Sequence, residues 1–172
     1  MNKAILALGI MFVFTGSAFA QKGDLNLKSR AALIFDAQQG RAIYSKNTDT
    51  IMPIASITKL MTAMVVLDAQ LPLTEEITID SADIDVLKNT RSRLRVGASL
   101  TRQQLLRLAL MSSENRAAAA LGRAYPGGIG AFVAAMNRKA NELGLQDTQF
   151  SDPTGLTAAN VSSARDLVKL VA

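Results

Sequence analysis

The stretch Pro53-Ile54-Ala55-Ser56-Ile57-Thr58-Lys59-Leu60-Met61-Thr62 runs straight into Ala63-Met64-Val65-Val66-Leu67, so that one lysine stands among apolar residues. Leu60, Met61, Met64, Val65 and Leu67 fall at helical spacings, with Ala63 and Val66 filling the gaps. Such a helix is apolar nearly all round and is expected to be buried. Pro53 sets its sharp entry and Leu71-Pro72-Leu73 ends it. Ser56 and Lys59, three residues apart, then lie one turn apart on one face. Taken alone, a serine capping a helix ahead of a solvated lysine is the more ordinary reading. The apolar helix behind makes Lys59 the odd residue in its first turn.

The pair gains weight from what the chain lacks. It contains no histidine and no cysteine, which excludes a Ser-His-Asp triad, a cysteine nucleophile and His- or Cys-rich metal sites. A buried lysine can lose its charge to desolvation and take a proton from a neighbouring hydroxyl. Ser56 as nucleophile and Lys59 as base form a complete pair without histidine.

On the N-terminal side, Lys3, the apolar run Ala4–Phe14 and Ala18-Phe19-Ala20 read as a secretory signal cleaved after Ala20. As a membrane anchor the run is too short. Export to the periplasm is therefore expected, with at most peripheral membrane association. Residues 21–29 read as a polar leader. Arg30–Asp36 and Ala42–Ser45, joined through Gln38-Gln39-Gly40, read as a β-hairpin. The net charge of +5 suits work near anionic wall polymer or membrane surface. The basic residues are scattered and aromatics few, so no nucleic acid is expected as a partner.

Towards the C-terminus the pattern is helical. Thr101-Arg102-Gln103-Gln104 is a capping box opening a helix through Leu105, Leu108, Ala109 and Met111. Asn115–Ala124 and Ile129–Leu143 read as two more helices, the first ended by Tyr125-Pro126-Gly127-Gly128 and the second closed by Gly144. Gln146–Thr157 is a loop, and Ser163 to Asp166 a capping start for a last helix. Strands grouped apart from helices point to an α+β fold. Between two of the helices stands Ser112-Ser113-Glu114-Asn115-Arg116. Ser113 and Asn115 there either cap an ordinary helix break or face one cavity as proton relay and amide. Ser45-Lys46-Asn47 has the same Ser-x-Asn form, but it ends a strand in a polar turn and is set aside.

Taken together, these residues resemble the low-molecular-mass penicillin-binding proteins, the serine D-Ala-D-Ala peptidases, from about residue 29 to 172. The resemblance rests on Asp36–Tyr44, Ala55–Thr62, Leu94–Gly97, Met136-Asn137, Phe150–Leu156 and Ala164–Leu167. Leu108–Ala118, followed by Tyr125–Gly128, is similar to the D-alanyl-D-alanine endopeptidase branch (the penicillin-binding protein 7 type). Glu114 and Arg116 stand where carboxypeptidases carry Ser-Gly-Asn-Asp.

This resemblance implies a penicillin-binding-protein/β-lactamase-like serine transpeptidase fold, an antiparallel sheet plus a helical region. It implies Ser56 as acylated nucleophile, Lys59 as general base, Ser113 as proton relay and Asn115 as the group that binds the substrate backbone. Peptidoglycan peptide cross-links and β-lactam antibiotics are the implied partners, with no metal or organic cofactor. The family's third motif, Lys-Thr-Gly on an inner strand, has no counterpart in this sequence. Residues 30–172 are therefore expected to be the N-terminal part of the peptidase domain, with the C-terminal part of the sheet missing and the 172-residue piece not competent. Losing one oxyanion donor alone costs ~10²–10³ in rate. The alternatives weighed beside the endopeptidase are a D-alanyl-D-alanine carboxypeptidase, a class A β-lactamase and a non-catalytic wall-binding module.

Overall fold

The computed structural model describes residues 25–172. The expected signal segment and the start of the leader lie outside the described residues. Strand β1 (Ala32–Asp36) pairs antiparallel with β2 (Arg41–Lys46). Asp36 shapes their turn by accepting the backbone N–H groups of Gln38 and Gln39, each at 3.0 Å. Strand β3 (Met52–Pro53) pairs with β6 (Val161–Ser162), and β4 (Glu76–Thr78) with β5 (Ser99–Thr101). The helices are α1 (Thr58–Asp68), α2 (Arg102–Met111), α3 (Asn115–Arg123), α4 (Gly128–Glu142) and α5 (Ala164–Val171). The architecture is α+β, a helical cluster flanked by short antiparallel pairs.

Local chemistry sets the helix ends where the sequence marks them. Thr101 and Gln104 form a reciprocal capping box at α2, and the Ser163 hydroxyl accepts the Asp166 N–H at α5. Gly144, at φ +67°, ends the chain's departure from α4. The core lies between α1, α2, α3 and α4, where Met61, Val66, Leu105, Leu121, Phe132 and Met136 are buried. Tyr125 meets Phe132 edge-on, with ring centroids 5.3 Å apart.

Two expectations need correction. The α-helix does not begin at Ser56: Ser56 sits in a 3₁₀ turn over Ala55–Ile57, and α1 starts two residues later. Nor is α1 buried all round. Met61, Ala63, Val65 and Val66 face the core, whereas Leu60 is 38% and Leu67 54% exposed. Three sides of α1 are covered by helices α2, α3 and α4 and by the loop before β6. The side that carries Leu60 and Leu67 is only partly covered by the described residues. The hairpin likewise leaves Ile34, Phe35 and Ile43 exposed.

Several positions that carry the family resemblance are structural pins. Asn137 bonds the backbone of Phe150 both ways, accepting its N–H at 2.9 Å and donating to its carbonyl at 2.8 Å. Buried Asp166 accepts from the Asp147 N–H, the Thr148 hydroxyl and Lys169. Burial alone would push its carboxyl up, but those donors outweigh it and hold it below the usual carboxylate range.

Candidate active site

Four side chains named from sequence meet at one point, although up to 59 positions separate them in the chain (Ser56 to Asn115). The Lys59 Nζ donates to Ser56 Oγ at 3.0 Å, to Asn115 Oδ1 at 2.7 Å and to the Thr154 carbonyl at 2.7 Å. Ser113 Oγ donates to Ser56 Oγ at 2.9 Å. Ser56 and Ser113 are exposed and Lys59 is buried. The hydroxyl thus faces solvent from above while the amine reaches it from below.

Burial drives the Lys59 pKa down from 10.5 to about 8, partly opposed by the negative charges of Asp152 and Glu114. Below that pH the three acceptors hold an ammonium. Above it the neutral amine has a lone pair to take the Ser56 proton.

Backbone conformation places both hydroxyls. Ala55, immediately before Ser56, has φ +46°, and Ser113 has φ +53°. Non-glycine residues in this left-handed region cost of order 1–3 kcal/mol each and persist where their surroundings dictate them. Ser113 lies in the tight reversal between α2 and α3, where the N–H groups of both Ser112 and Glu114 return to the Leu108 carbonyl. Glu114 caps α3 by accepting the Arg116 N–H at 3.2 Å, and Arg116 donates to the Leu94 carbonyl. Glu114 and Arg116 therefore shape the turn that presents Ser113 and Asn115.

The loop 150–160 completes the site. One carboxylate, Asp152, accepts from the Thr154 N–H and hydroxyl, the Gly155 N–H and the Thr157 N–H. The turn this makes aims the Thr154 carbonyl at Lys59. Three successive polar positions of α1 hold the loop down. Thr58 accepts from the Asn160 amide at 3.0 Å, Lys59 takes Thr154, and Thr62 donates to the Pro153 carbonyl at 2.7 Å. Gly155, at φ +82°, lies so close beneath Ala55 that a Cβ there would stand 1.9 Å from the Ala55 carbonyl oxygen. Only glycine fits.

Sequence reasoning named Ser56, Lys59, Ser113 and Asn115 and missed Thr58, Thr62, Asp152 and Thr154. The Asp-Pro-Thr-Gly turn was visible as a loop, but nothing local said which carbonyl would face the lysine. An apolar groove of about 290 Å³ opens beside Asn115 and Thr154, walled by Ile84, Val86, Leu87, Ala119, Pro153 and Leu156. Ser45-Lys46-Asn47 sits apart from the cluster, its Asn47 amide donating to the Arg30 carbonyl. Among the described residues no group of three or more Asp, Glu, His or Cys could hold a metal ion, and no helix is long and apolar enough to cross a membrane.

A family profile described as D-alanyl-D-alanine carboxypeptidase matches residues 17–172. A D-alanyl-D-alanine endopeptidase of Pseudomonas aeruginosa is 54% identical over 145 residues, and one of Escherichia coli K12 is 52% identical over the same length. Each alignment covers 84% of this chain and 47% of the relative, so the chain spans about half the length of the curated relatives it matches. The Streptomyces K15 DD-transpeptidase crystal structure superposes with a TM-score of 0.70 at 38% identity, covering 77% of this chain and 55% of that one.

Proposed function

The chain belongs to the D-alanyl-D-alanine carboxypeptidase family, and from that premise we propose that the whole protein is a serine D,D-endopeptidase cutting D-Ala-containing peptide cross-links of peptidoglycan. The observation that carries the reading is the buried Lys59 amine 3.0 Å from an exposed serine hydroxyl. Neutral Lys59 takes the Ser56 proton as Oγ attacks the D-Ala carbonyl carbon. The tetrahedral intermediate collapses, the C–N bond breaks, and Ser113 hands the departing amine a proton while taking the one Lys59 held, which leaves Lys59 neutral. Water, deprotonated by Lys59, then attacks the acyl-enzyme and frees Ser56. Asn115 binds the substrate backbone and holds Lys59. Penicillin acylates the same oxygen, because its strained amide offers an equivalent carbonyl.

Residues 1–20 act as a signal peptide, residues 21–29 as a leader and residues 30–172 as part of the peptidase domain, working in the periplasm. No Lys-Thr-Gly occurs in the sequence, and the four residues above supply nucleophile, base, relay and amide only. The endopeptidase specificity is favoured by relatives of that description at 54% and 52% identity, against 31% for a Bacillus subtilis carboxypeptidase. The second reading, terminal D-Ala removal, is favoured by the description of the family profile itself.

Fluorescent penicillin should label the full-length protein and not Ser56→Ala; labelling of the variant would remove Ser56 from the mechanism. Purified cross-linked muropeptides should be converted to monomers. Release of free D-alanine with the dimers intact would replace the endopeptidase by the carboxypeptidase.

A further inference from the structure

We infer that Asp85 and Thr90, in the exposed loop before β5, are positioning residues that fix which way the Asn115 amide faces and thereby where Lys59 is held. The inference rests on the peptidase reading above and adds residues outside its four. The loop is built around one carboxylate. Asp85 accepts the N–H groups of Leu87, Lys88 and Thr90 at 2.9, 3.0 and 2.9 Å, and the Thr90 hydroxyl at 2.7 Å. The Thr90 Oγ1 also lies 3.0 Å from Asn115 Nδ2. Asn115 Oδ1 is the acceptor 2.7 Å from Lys59 Nζ.

The polarity of this chain is set at its far end. An ionised carboxylate can only accept, so the Thr90 proton points at Asp85 and the threonine oxygen is left as an acceptor. An acceptor there selects the Asn115 NH₂ group, which turns the amide oxygen towards Lys59. With the amide reversed, NH₂ would face an ammonium, donor against donor. Nothing else among the described residues bonds Asn115 Nδ2, so without Thr90 only Lys59 selects the amide's direction, and only while it is an ammonium, since the neutral amine can accept from NH₂ as readily as donate to the oxygen. The loop is also pinned at its other end, where Arg116, the next residue, bonds the Leu94 carbonyl.

The test combines acylation of the full-length protein by fluorescent penicillin with NMR of the Asn115 side-chain NH₂. Thr90→Val keeps the shape and removes the acceptor; it should slow acylation about tenfold and speed exchange of the Asn115 NH₂ protons. Thr90→Ser should restore both. In an Asn115→Ala background, Thr90→Val should have no further effect, which a purely structural role would not produce. Asp85→Asn, which can donate to Thr90 and reverse the chain, should slow acylation as Thr90→Val does and carries the test if Thr90→Val melts early. Wild-type acylation with unchanged NH₂ exchange in either variant overturns the inference. So does a Thr90→Val loss that survives undiminished in Asn115→Ala. If Ser56→Ala still labels, the peptidase reading fails, and the Asn115 NH₂ signal still decides the positioning role.

Discussion

The loop 152–160 and the loop 85–90 both end on the Lys59 cluster, one through the Thr154 carbonyl and the other through Thr90 and Asn115. Each is organised by a single aspartate that gathers backbone N–H groups. The first lies under Ser56 and is buried at Pro153, Thr154, Gly155 and Asn160; the second is exposed at Val86 through Thr90. Water can replace a bond broken in the exposed loop. In the buried one, each broken bond leaves a desolvated polar group that costs about 1–3 kcal/mol. The buried loop therefore carries fold and site together, while the exposed loop carries orientation with little stability.

That contrast can be broken by substitution, and the largest effect belongs to Gly155→Ala. Its methyl would collide with the Ala55 carbonyl at a backbone angle few L residues adopt, so we expect a loss of about 3–5 kcal/mol in urea unfolding. Asn160→Ala comes next. It strips bonds from the N–H groups of Ser151 and Asp152 and from Thr58 and the Asp152 carbonyl. A destabilisation of about 2–4 kcal/mol is expected by the same measurement.

The lysine gives a pH signature between the two loops. With a folded pKa of about 8, penicillin acylation should rise roughly tenfold per unit below pH 8 and level off above it. The stability sign runs with it. The folded lysine is depressed below its unfolded value of 10.5; the unfolded chain holds more protons between about 8 and 10.5. Its burial therefore costs stability fully below pH 8, and the cost fades as pH rises through that window. A flat acylation profile from pH 6 to 9 would remove Lys59 as the base.

The smallest effect belongs to the exposed loop. Asp85→Ala should cost about 1 kcal/mol or less while slowing acylation. If its unfolding loss matched that of Asn160→Ala, the two loops would not differ as argued.

Much of the fold was legible because its signals are local. The Thr101–Gln104 box, the Gly144 stop and the turn at Gly40 are fixed by bonds within a few residues. The Ser56–Lys59 spacing is local too, so the candidate site could be located. Its partners could not be read so directly: Thr154 reaches Lys59 across 95 positions, and Asn160 reaches Thr58 across 102. The buried threonines of α1, Thr58 and Thr62, gain their meaning only from the loop they hold. The exposure of Leu60 and Leu67 was misread for a related reason, since periodicity shows that a face is apolar and not what covers it.

By itself the sequence determined the chemistry open to this protein: without histidine or cysteine, a hydroxyl needs a lysine one helical turn away. Tertiary structure decided whether that lysine could serve. Its depressed pKa comes from burial, and its aim comes from a carbonyl and an amide delivered by distant loops. Desolvation and hydrogen-bond direction are properties of the packed chain, which no spacing of residues encodes.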